Sequence, residues 1–262
     1  MKKQFTFSVI LALTAFAFGC GGGGEDTAKK AASPAKKAMT ISGYTAMTVS
    51  DGGTVMGKVT FAGDAPAKVK LEVTKDVNVC GKMDNYNVDI VVGDDKGLAN
   101  VVVSLSDISK GKSLDALGTT FKLDQKGCAF DPHISLVPAG VEITIFNSDG
   151  ILHNIHTYSE KNKSVNIAQP GFKKRMKQTF KEAETIRIAC DVHNWMGGYI
   201  VVAGHPYYAI TDASGNFEMA DVPAGTYTVD FWQEKLGKRT AQVTVTAGGM
   251  AHADLEYTMG SN

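Results

Sequence analysis

Apolar residues occupy every second position in run after run of this chain. Val141, Ile143 and Ile145 alternate with Glu142 and Thr144, and Ile186, Ile188 and Cys190 alternate with Arg187 and Ala189. A period of two places one set of side chains on a buried face and predicts strands rather than helices. Similar short runs cover Thr54 to Phe61, Val69 to Val73, Asn87 to Val92, Leu98 to Leu105 and Tyr199 to Ala203. Further on come Asn216 to Ala220, Thr226 to Trp232, Thr240 to Thr246 and Met250 to Tyr257. Turn-forming clusters such as Asn147–Gly150, Asp212–Gly215 and Asp221–Gly225 separate them. The expected fold class is all-β.

The first fifty residues break the pattern. Met1-Lys2-Lys3 and the apolar run Phe5 to Phe18 form a charged and then a hydrophobic region, too short to span a bilayer stably. Residues 1–20 read as a secretory signal, which implies export to a periplasm or outer cell surface. Gly19-Cys20 has the form of a lipoprotein processing site, with Ala15-Phe16-Ala17 as a rival Ala-x-Ala cleavage site. Lipidation of Cys20 is preferred because the rival leaves an unpaired exposed thiol, and it would anchor the protein to a membrane. Residues 21–52, rich in Gly, Lys, Ala and acidic residues, have the composition of a flexible tether.

Candidate chemistry lies in Cys190-Asp191-Val192-His193-Asn194-Trp195-Met196, a Cys-x2-His-x2-Met loop between two strand-like runs. On strand parity Cys190 faces inward with the two isoleucines. Soft sulfur and imidazole suit copper. Two histidines and a cysteine with a weak axial methionine make a blue-copper electron-transfer site. This loop lacks one histidine, and His153, just past the turn that ends the Val141 run, can supply it.

On these residues the stretch from about Phe121 to Ala203 resembles a cupredoxin, a Greek-key β-sandwich of the amicyanin and plastocyanin type. The short ligand loop and the His153-Asn154-Ile155-His156 run resemble amicyanin in particular. The resemblance implies one type 1 copper held by His153, Cys190 and His193, with Met196 as axial ligand. It makes Asn154 the side chain that ties the two ligand loops together. It further implies one edge of His193 at the surface, ringed by Ile151, Leu152, Trp195 and Phe172 as an apolar docking surface for a transient redox partner. A c-type cytochrome or a dehydrogenase is that partner by analogy with amicyanin. Asn194 stands where the amicyanin loop carries proline. His156, of opposite strand parity to His153, is the reserve ligand.

Thr211 to Phe217 and Pro223 to Tyr227 resemble the carboxypeptidase-regulatory, transthyretin-like β-sandwich. Its opening half resembles Gly97 to Leu105, which lies before the cupredoxin segment. The expected divisions are thus 53–117 for an N-terminal β segment, 118–203 for the cupredoxin and 204–258 for the second sandwich. Two arrangements remain open: a cupredoxin inserted into a split sandwich, or consecutive modules.

Four cysteines leave Cys80 and Cys128 once Cys20 and Cys190 are assigned. In an exported protein they are expected to form a disulfide, the alternative being that either pairs with Cys190 and abolishes the metal site. His133, His205 and His252 read as surface residues. The 27 basic and 27 acidic residues balance, so there is no basic footprint for nucleic acid. No phosphate loop and no second histidine cluster point to catalysis. Three functions follow: a membrane-tethered carrier of single electrons, not an enzyme; a copper carrier or storage lipoprotein; or a cell-surface structural module.

Overall fold

The computed structural model describes residues 43–260, and the signal segment, Cys20 and most of the expected tether lie outside them. The fold is all-β, built as two sandwiches in contact. The first is the central one. A five-stranded sheet runs in the order Asn166–Gln169, His153–Tyr158, Glu184–Ala189, Gly197–Ala203 and Ile134–Pro138. It faces a four-stranded sheet of Arg175–Thr179, Glu142–Asn147, Phe121–Lys126 and Ala129–Asp131.

The alternation seen in the sequence explains the core between them. Ile143 and Ile145 are fully buried, and so are Ile186 and Ile188 on the opposite sheet, while Glu142 and Arg187 face solvent. With Leu123, Ile155 and Ile200 they form one apolar cluster that also takes in Cys190 and Met196. The metal-ligating candidates therefore sit at the end of a dry core.

The second sandwich is interrupted by the first. Its two sheets are centred on strands that precede the central module: Gly53–Phe61 pairs with Asn216–Val222, Met250–His252 and Leu255–Tyr257. Val102–Leu105 pairs with Tyr208–Ile210 and Gly225–Gln233, and the latter pairs with Gly237–Val245. Val59, Phe61, Leu98, Leu105, Phe231 and Tyr257 fill the interior. Where the sandwiches meet, Val102, Ile134 and Val201 are buried together, and the Tyr199 ring meets the Trp232 ring edge-on at 4.9 Å.

Two expectations need correction. Tyr44 is already packed, although residues 21–52 were expected to be a tether. The Tyr44 ring is buried and its hydroxyl donates to the Lys112 carbonyl at 2.7 Å, while Thr45–Ala46 pairs parallel to Lys110–Gly111. One aromatic anchor and a short ladder overcome the polar composition around it. Second, Val69 to Val73 and Asn87 to Val92 are not strands. Their stretch has isolated bridges such as Lys70 to Tyr86 and a single helical turn, Val77–Cys80. The expected Cys80–Cys128 disulfide is present and pins that turn to the central sandwich, with S–S 2.03 Å, while Cys190 remains a buried free thiol.

Candidate metal centre

Cys190 follows the last residue of Glu184–Ala189, so the strand delivers its sulfur to the end of the core. The loop then closes on itself: the Cys190 amide donates to the Met196 carbonyl at 3.2 Å, and the Met196 amide to that of His193 at 2.9 Å. His153 opens the neighbouring strand, which pairs Ala189 with His156. All three donors, His153, Cys190 and His193, are buried and converge. Cys190 Sγ lies 3.9 Å from His153 Nδ1 and 3.8 Å from His193 Nδ1, and the two Nδ1 atoms are 3.0 Å apart. A triangle with these sides has its centre about 2.1 Å from each corner, the range of metal–nitrogen and metal–thiolate bonds. The donors fit a single transition-metal ion. Met196 is buried in the same cluster as Cys190.

The outer nitrogens of both rings are also engaged. His153 Nε2 meets Asp149 Oδ2 at 2.9 Å, and that carboxylate takes the backbone amides of Gly127 and Cys128 at 2.6 and 2.8 Å. His193 Nε2 meets Asp76 Oδ2, also at 2.9 Å. These bonds turn each Nδ1 toward the centre and set the ring orientation. Asn154 joins the two ligand-bearing segments, since its Oδ1 accepts from the Asp191 amide at 2.6 Å and its Nδ2 donates to Asn166 Oδ1 at 2.7 Å.

Charge follows from these contacts. Burial pushes the His153 imidazole down, but the Asp149 carboxylate and the Cys190 sulfur outweigh it and bring its pKa up to about 9. For Cys190 burial pushes up, and the bond to His153 with nearby backbone amides brings the thiol below its ordinary value. His193 is lowered, first by burial and also by the charge on His153, against the pull of Asp76. Without metal the two shifts run in opposite senses, Cys190 down and His153 up, so each contact favours the charged form of its partner, and a soft cation would compete with the proton there.

The expected exposed edge of His193 is not there. His193 is fully buried, as is His153, because Asp76 and the turn it begins cover its outer face. The apolar residues expected around it are spread instead. Trp195 is half-buried, 5.1 Å from the His193 ring, with its indole N–H on the Cys128 carbonyl. Ile151 is half-buried, whereas Leu152 and Phe172 are exposed. His156 sits beside the site at the surface, bonded to the Asp191 carboxylate at 3.0 Å. His133 is not a free surface residue, since it packs against the Glu234 carboxylate. Nor is His205, which is half-buried among Tyr44, Tyr207 and Tyr208. Sequence reasoning missed Asp76 and Asp149. Asp149 stands four residues before His153 and could have been suspected, but Asp76 lies 117 residues from its partner and left no local signal.

Among known proteins, a family profile described as polysaccharide lyase family 4, domain II, matches residues 181–253. That profile is not a transthyretin-like one, and its match runs from the last strands of the central sandwich into the second. No curated protein matches the chain. Solved structures similar to it include a copper-containing nitrite reductase from Thermus scotoductus SA-01, with 19% identity over 32% of this chain and 22% of the other and a TM-score of 0.31. A purple cupredoxin from Nitrosopumilus maritimus is 20% identical over 31% of this chain and 98% of its own, with a TM-score of 0.27. An amicyanin mutant in its oxidized state is 23% identical over 32% of this chain and 82% of its own, with a TM-score of 0.29. The chain thus spans about a fifth of the length of the nitrite reductase and most of each smaller neighbour. It is an all-β protein with a buried His–Cys–His group, and its neighbours among solved structures include cupredoxins.

Proposed function

We propose that His153, Cys190 and His193 hold one copper ion, with Met196 as the axial ligand, and that the protein carries single electrons between exported redox partners. The observation that carries this reading is the buried donor triangle, whose centre lies at bonding distance from one sulfur and two imidazole nitrogens. A thiolate and two imidazoles with a thioether nearby suit copper over harder cations, and such a set relays electrons rather than opening a position to substrate. The ion would supply the one-electron couple. The protein's own part is to fix the donors in a dry core and to hold the outer nitrogens of both rings on carboxylates. Cys20 is the proposed lipid anchor to a membrane facing an exported compartment, and a c-type cytochrome or a dehydrogenase the proposed partner class.

The test is copper uptake by the full-length protein. One equivalent of Cu(II) should produce an intense visible band from thiolate-to-copper charge transfer, and Cys190→Ser should abolish it. A colourless wild type with Cys190 shown to be a free thiol would overturn the reading. The cover over His193 favours a second reading, copper storage without electron exchange. Slow exchange with every small redox mediator, together with ready transfer of copper to a chelator, would select it.

A further inference from the structure

The stretch between the first strand of the outer sandwich and Val102 carries Asp76, and the local geometry of that residue is unusual. Asp76 has φ 49° and immediately precedes the helical turn Val77–Cys80. An aspartate there ordinarily turns its carboxylate onto the first amides of its own helix. Here the side chain makes no such bond, while the Asp76 carbonyl takes the amides of Val79 and Cys80 at 2.8 and 2.9 Å. The carboxylate reaches away instead to His193 Nε2. A left-handed conformation in a residue other than glycine, with its capping bond given up, is the kind of local cost found at functional sites.

The anchoring of this turn is equally specific. Cys80 ends it and is bonded to Cys128. The Cys128 amide donates to Asp149, the carboxylate on His153, and the Cys128 carbonyl accepts from Trp195, which packs on His193. One covalent link therefore joins the two segments that place carboxylates on the outer nitrogens of the two histidines.

We infer that Asp76 is a positioning residue of the metal centre, that it closes the outer edge of His193 against solvent and small ligands, and that the Cys80–Cys128 disulfide holds it there. Its effect on metal binding rests on the copper reading above; the closure itself does not. The carboxylate fixes the His193 ring with Nδ1 toward Cys190 and His153. Losing it frees the ring to rotate and opens a path to the site from the side where the sequence led us to expect an exposed edge.

The full-length protein without metal tests the closure. Diethyl pyrocarbonate acylates accessible, unprotonated imidazole nitrogens, and peptide mass spectrometry reads each histidine separately, with exposed His252 as internal reference. His193 should be protected in the wild type. Asp76→Ala should raise its labelling about tenfold, as expected for loss of a bond worth about 1.5 kcal/mol. Asp76→Asn keeps an oxygen acceptor and should stay near wild type. Cys80→Ser with Cys128→Ser should behave like Asp76→Ala; if that variant does not fold, the two Asp76 variants decide alone. With copper added, Asp76→Ala should bind it about 10- to 100-fold more weakly. Azide should alter the visible and electron-paramagnetic-resonance spectra of Asp76→Ala and leave those of the wild type unchanged. Equal labelling of His193 in the wild type and Asp76→Ala overturns the inference. Protection in the wild type without any copper uptake would sink the copper reading and leave the closure standing.

Discussion

Asn154 is uncharged and binds no metal in the proposed scheme, yet its amide spans the two segments that carry His153 and Cys190. Its oxygen takes the Asp191 amide at 2.6 Å, and its nitrogen reaches both Asn166 and the Asp191 carboxylate. Asn154→Ala should cost about 1–3 kcal/mol through the unpaired groups it leaves, read as a lower urea midpoint of the metal-free protein with unchanged slope. A second residue sets a pH dependence away from the donor triangle. Burial brings His205 from its ordinary 6.5 down to about 4, and its Nδ1 accepts the Tyr207 amide, so the fold favours the neutral ring. Between those two values the unfolded chain takes up a proton that the folded chain refuses. Stability present above pH 6.5 should therefore drain away as pH falls toward 4. Melting temperatures over that range should fall less steeply in His205→Phe than in the wild type. At this scale the sequence revealed the donors because cysteine, histidine and methionine occur at a spacing with chemical meaning. The carboxylates behind them were illegible because aspartate is common in turns and Asp76 meets its partner only through tertiary structure.

Strands followed the period-two pattern wherever a strand had a core face to fill, as Glu142–Asn147 and Glu184–Ala189 do. Ile188→Ala, on a fully buried position near Cys190, should cost about 2–5 kcal/mol and weaken the visible band proposed for the copper-loaded protein by loosening the end of that strand. Chemical denaturation and the visible spectrum would read the two effects separately. The stretch from Val69 to Val92 misled the pattern. Val69, Val77 and Val88 are exposed there, while Val73, Ile90 and Val92 are only partly buried against two different cores, so the alternation had no continuous interior face to serve. What fixes this stretch is covalent. The disulfide closes a loop with a sequence separation of 48, and chain entropy assigns such a closure about 4 kcal/mol. Reducing it in the metal-free protein should lower the melting temperature and make bonds near Met83 and Tyr86, both exposed, the first sites of limited proteolysis.

On the scale of the whole molecule, the sheet pairings make the two ends of the chain depend on each other. Among the described residues, Gly53–Phe61 has ladder partners only in strands beyond residue 215, and Val102–Leu105 only beyond residue 207. A chain ending after Ala203 should leave Val55, Val59, Phe61 and Leu105 without their facing layer. It should aggregate or expose protease-sensitive strands, which size-exclusion chromatography and trypsin digestion would show. Turn chemistry revealed the individual strands of this sandwich, but the interruption is a matter of long-range pairing, which alternation does not encode. That the opening half resembled a sequence preceding the insert was the one hint of it.

The interruption also imposes an order of events on a chain made from its N-terminus. Gly53–Phe61 is complete long before Leu255–Tyr257 exists, and at roughly 5–20 residues per second the interval is on the order of 10–40 s. Throughout that time the early strands carry apolar faces and open edges, the condition in which strands pair with the wrong neighbour. The central sandwich is under no such delay, since every strand in its two sheets lies between Phe121 and Ala203. The segment bearing Asp76 and Cys80 has by then already been made. The donor triangle and its carboxylates can therefore come together first, and the folded central sandwich would hold the waiting strands beside it until those beyond residue 207 arrive.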